Sequence, residues 1–90
     1  MIPKTFRLAN RTWRVNRVPF LSKKDRGLVD HITRDVYVAY KGRTLKQQHE
    51  TLLHEMTHAV LNEVDPAYNR EPFVEEFAKQ LSKAILSARL

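Results

Sequence analysis

Apolar and polar residues alternate along residues 5–15, with Phe6, Leu8, Trp13 and Val15 falling on one side of a break at Asn10-Arg11. A period of two around a turn residue predicts a β-hairpin with one face toward a core. The next stretch, "NRVPFLSKKDRG", carries Pro19 and Gly27 and reads as a loop or edge segment. Val36, Val38 and Tyr40 restore strict alternation and predict a strand that ends at Gly42. A shorter strand around Leu28 to Ile32 is expected to pair with it across a Thr33-Arg34-Asp35 turn. The period then lengthens. From Thr44, an N-cap with Gln47 three residues on, apolar positions recur at helical spacing as far as Val64, and Asp65-Pro66 stops the helix. Phe73, Val74, Phe77, Ala78, Leu81 and Ile85 form the core-facing stripe of a second helix that starts near Glu71 or Pro72, with Asn69 as its expected cap. The predicted fold is α+β: a small three- to four-stranded, mostly antiparallel sheet followed by two helices.

Length and composition narrow this. Ninety residues suffice for one modest core, so the expectation is a single domain with a strand region at 1–43, a helix at 44–64 and a C-terminal helix at 70–90. With 42% apolar and 29% charged residues, the composition is that of a folded globular chain. Cysteine is absent, which excludes disulfides, thiolate metal sites and a thiol nucleophile. A small domain without staples points to a reducing cytoplasm. "MIPKTFRLAN" lacks the apolar segment of a signal peptide, and no apolar run approaches membrane-spanning length. The net charge of +6 is concentrated early, at Arg11, Arg14, Arg17, Lys23, Lys24 and Arg26. Such a run is usually a solvated face. It also suits nucleic acid, although no helix-turn-helix or RNP-like motif accompanies it.

Candidate chemistry lies in "TLLHEMTHAVLNEV", residues 51–64. On a helical wheel Leu45, Leu52, Leu53, Met56, Ala59 and Val60 gather on one side, and His49 falls within that stripe as an expected core histidine. His54 and His58 lie about 40° apart on roughly the opposite side. One turn of spacing lets two imidazoles ligate one Zn²⁺ at about 2.0–2.1 Å. Glu55, rotated about 100° from His54, stands beside such an ion, where it can take a proton from bound water.

"HEMTHAV" together with "EPFVEEFA" resembles the gluzincin metallopeptidases, and in particular the ImmA/IrrE-type and HtpX-type peptidase core found in small phage-like proteins. The likeness covers about residues 51–81. It implies a minimal zincin-like domain in which the two histidines and an acid on the next helix bind zinc. By that likeness Glu71 is the third ligand and Glu75 supports the site one turn on. Glu75 stands where Asp or Asn is usual, and Pro72 directly follows Glu71, so Glu75 remains a rival ligand. The acids of "EPFVEE" also suit a positive helix N-terminus without any metal.

The expected activity is zinc-dependent endopeptidase hydrolysis of a peptide or protein substrate, with Glu55 as general base. Tyr68 and His31 are candidate oxyanion donors, and the strand Val36 to Tyr40 is a candidate edge for an extended peptide. So short a chain leaves little material for a specificity pocket, so a partner protein could complete the cleft. A zinc-binding interaction module with weak or lost activity and a basic nucleic-acid-binding domain are the alternatives.

Overall fold

The computed structural model describes residues 2–22 and 25–88. Lys23 and Lys24 of the basic run, and the last two positions of the expected C-terminal helix, lie outside them. Four strands, β1 (Thr5–Leu8), β2 (Arg11–Val18), β3 (Gly27–Asp30) and β4 (Asp35–Ala39), precede helices α1 (Leu45–Val64) and α2 (Glu71–Ser87), which a short 3-10 turn at Pro66–Tyr68 separates. This is an α+β fold whose sheet is mostly antiparallel. Among the described residues, no helix is long and apolar enough to cross a membrane.

The first hairpin closes on Ala9 and Asn10, at φ +52° and +62°. Two consecutive left-handed residues make the tight turn whose twist matches flanking strands. β2 then runs on through Val18, where the sequence pattern predicted loop. The reason is non-local: Arg14 to Val18 pair in parallel with Asp35 to Ala39. Pro19, which has no amide to donate, follows directly. β3 and β4 form the expected antiparallel pair, and the sheet order is β1-β2-β4-β3. β4 is therefore central, which corrects the expectation of an open edge at Val36 to Tyr40. The edge strand on that side is β3.

One sheet face is apolar. Val15, Val36 and Val29 are aligned across three strands, and Phe6 stacks on Trp13 at a ring separation of 5.8 Å. Val36 and Val38 are fully buried there, against Leu52 and Ala59 of α1. On the other face the Arg14 guanidinium donates to both oxygens of Asp35, at 2.8 and 2.7 Å, and Asn16 adds a third bond at 3.0 Å. Hydrogen bonds from Arg14, Asn16 and Thr33 hold the Asp35 carboxyl down at about 2. A depressed carboxylate adds stability that is whole above its unfolded value of about 3.9 and lost as pH falls through the folded one. Acid unfolding followed by circular dichroism should therefore show a loss of stability between about pH 4 and 2. In Asp35→Asn that limb should disappear.

α1 begins as the sequence predicts: Thr44 accepts from the Gln47 amide at 3.1 Å and Gln47 reciprocates at 3.0 Å. Its burial departs from the apolar stripe. The helix buries Gln48, Thr51, Glu55 and Thr57 along with Leu52 and Ala59, leaves Leu45 and Val60 exposed, and holds His49 half-buried rather than in the core. Two neighbours explain this, the sheet on one side and α2 on another, so polar residues between the two contacts are covered as well. Most are satisfied, Gln48 by Arg17 and the Arg43 carbonyl, Thr57 by the Leu53 carbonyl. α2 differs more. Only Val74, Ala78 and Ser82 are buried, and Phe73, Phe77, Leu81 and Ile85 of the predicted core stripe face outward.

Candidate metal centre

Position begins with the connector. Asp65 ends α1 with its amide on the Leu61 carbonyl, and its side chain accepts from Ala67, starting the 3-10 turn. Six residues, 65–70, then return the chain so that α2 starts beside His54 and His58 of α1. Pro72 sits in the first turn, where no intrahelical amide is needed. Glu71 is consequently the first helical residue, at the level of the histidines.

Its carboxylate spans both imidazoles. His54 Nε2 lies 3.3 Å from Glu71 Oε2, and His58 Nε2 lies 2.6 Å from Oε1. One ligand atom from each of the three residues falls within 4.8 Å of the others. Tetrahedral coordination with bonds of about 2.0–2.1 Å separates ligand atoms by roughly 3.3 Å. The His54–Glu71 spacing already has that value; the His58–Glu71 spacing must open slightly. The donor chemistry fits too, since two imidazoles and one carboxylate with a free side favour Zn²⁺.

Asn69 was expected to cap α2 and does not: Arg70 occupies the cap, with no side-chain bond. Asn69 Oδ1 instead sits 2.5 Å from His58 Nδ1. An amide oxygen is an acceptor, so His58 Nδ1 carries the proton and Nε2 presents its lone pair toward Glu71. Nε2 lies 2.6 Å from Glu71 Oε1, so the two atoms face one another across the junction of α1 and α2. An asparagine eleven residues after the second histidine carries no motif, so sequence reading missed it.

Glu55 is 92% covered and accepts no hydrogen bond among the described residues; burial pushes its carboxyl up, opposed by His54 and His58 and reinforced by Glu71 and Asp25. Gly27 makes room for it. A Cβ built on Gly27 would lie 2.7 Å from Thr51 Cγ2, 2.8 Å from Glu55 Cγ and 3.0 Å from Glu55 Oε2. β3 can thus approach α1 closely only as glycine. Gly27→Ala should push β3 away from α1 and displace Glu55, lowering stability by about 1–3 kcal/mol in thermal melts. An unchanged melting temperature in that variant would remove Gly27 from any positioning role.

A groove of about 830 Å³ runs past the centre, lined by His54, Glu55 and Glu71 together with Gly27, Thr51 and Ala78 among others. Glu75 also lines it but lies outside the three-residue cluster. Tyr68 is exposed and packs against Phe73 at 5.8 Å between rings, and His31 meets the edge of Trp13 beside a separate small cavity. Neither lines the groove. No protein-family model, curated protein or solved structure matches the chain.

Proposed function

We propose that this protein is a zinc-dependent, gluzincin-like metallopeptidase in which His54, His58 and Glu71 hold the ion and Glu55 is the general base. The observation that carries this reading is the convergence of two imidazole Nε2 atoms and one carboxylate beside a buried glutamate. Bound zinc supplies Lewis-acid chemistry, acidifying a coordinated water and polarising a carbonyl.

The chain's own groups supply the rest. Asn69 fixes the tautomer and orientation of His58. Glu55, raised by burial, takes a proton from water in the groove and delivers it to the departing amine. The wall that positions Glu55 is edge strand β3, whose free backbone edge can add an extended peptide along the groove. The cysteine-free chain accords with action in the cytoplasm. The groove is open along much of its length, so a protein substrate, or a partner, can supply the missing wall.

The exposed apolar stripe of α2 favours a second reading, a zinc-binding interaction module without turnover. Elemental analysis should find one zinc per chain, and the zinc-loaded protein should cleave members of a proteome-derived peptide pool. Zinc without cleavage selects the interaction module, and a protein that takes up no zinc eliminates both.

A further inference from the structure

The groove that contains the candidate centre is lined by five carboxylates, Asp25, Glu50, Glu55, Glu71 and Glu75, and by five cations, Arg26, Arg43, Lys46, Lys79 and Lys83. None of these cations forms an ion pair among the described residues, where the only carboxylate partners in such pairs are Asp35 and Glu71. Arg43 is lowered first by burial and then by Arg26, with Glu50 acting in the opposite sense, and its Nε is buried without a partner. Its terminal nitrogen is used to grip Thr51 and the Gln47 carbonyl, which anchors the head on α1. The two signs are not mixed evenly along this concavity.

The lysines are grouped along it. α1 and α2 are joined by six residues and packed side by side, so they run in opposite directions. Lys46 is eight residues before His54, and Lys79 is eight residues after Glu71, which places both about 12 Å from the centre along their helices. Lys83 is a turn further. Between the centre and this cationic end stand Glu50 and Glu75. An extended peptide advances about 3.3 Å per residue, so about 12 Å corresponds to three or four residues.

We infer that the groove selects extended peptides bearing acidic side chains three to four residues to one side of the bond at the metal centre, held by Lys46, Lys79 and Lys83. The inference rests on the peptidase reading for where the scissile bond lies; the charge recognition itself does not need turnover. Glu50 and Glu75 add that positions nearer the centre should be neutral or basic.

Zinc-loaded Glu55→Gln separates binding from hydrolysis. Labelled decapeptides carrying Asp and Glu, Asn and Gln, or Lys at those positions are titrated by fluorescence anisotropy at low and high salt. The acidic peptide should bind about tenfold more tightly than its amide counterpart at low salt, with the advantage shrinking as salt rises. Lys46→Glu with Lys83→Glu, both at exposed positions, should reverse the preference toward the lysine peptide. Equal affinity for the acidic and amide peptides, or an unchanged preference in the reversed variant, would overturn the inference. So would a single-stranded oligonucleotide of equal charge that binds more tightly than the acidic peptide. Acidic selection without cleavage by the wild-type protein would sink the peptidase reading and leave this one standing.

Discussion

On the proposed function, Glu55→Gln should remove peptide hydrolysis, lowering kcat by about 10²- to 10⁴-fold, the usual contribution of a positioned base. Zinc should stay at one ion per chain, because the proposed ligand atoms belong to His54, His58 and Glu71. Glutamine has nearly the same shape, so Gly27 and Thr51 still pack on it; what is lost is a site that accepts a proton. In the wild type, the rate should fall as pH drops through the raised Glu55 value, since protonation occupies the base. A second consequence has the opposite sign. A carboxyl raised by burial opposes folding above its unfolded pKa, so the neutral amide should stabilise the metal-free protein at pH 7 by on the order of 1 kcal/mol. Thermal melts and stopped-time cleavage assays on the same preparation check both. A variant that loses zinc, or cleaves at the wild-type rate, refutes the assignment.

Zinc itself should raise the melting temperature strongly. An ion that binds only the folded chain adds about 2.7 kcal/mol when free zinc is a hundredfold above its dissociation constant. For a domain of this size that corresponds to roughly 10–20 °C. The increment should disappear with chelator. It should also disappear in His54→Ala and Glu71→Ala, because each removes one of three ligands held on two different helices. Asn69→Ala keeps every ligand but frees the His58 ring, and should weaken zinc by about 10- to 100-fold. Scanning calorimetry with and without zinc reads all four proteins. Identical melting temperatures in both conditions for the wild type would leave the cluster as a plain hydrogen-bonded contact between α1 and α2.

Several elements were legible in local pattern. The alternation of Phe6, Leu8, Trp13 and Val15 marked β1 and β2; Thr44 with Gln47 marked the start of α1, and Asp65-Pro66 its end. These signals are local, because strand pleat, capping and proline chemistry act within a few residues. The histidine pair was equally legible, since a spacing of four on a helix places two rings on one face. The α2 stripe was misread. Phe73, Phe77, Leu81 and Ile85 have the periodicity of a buried face, but periodicity reports that a face is apolar and not that another element covers it.

The chain's own pattern was enough for an α+β order of elements and for two imidazoles and a glutamate on one helix, because both follow from backbone periods of two and 3.6. Packing between distant segments settled everything else. It set Asn16 to Val18 beside β4, made β3 the edge, chose Glu71 over Glu75 as the acid that meets both histidines, and turned Asn69 from a cap into the partner of His58. Each of those depends on how far a turn rotates the next element, and that angle is a sum over contacts no single stretch contains.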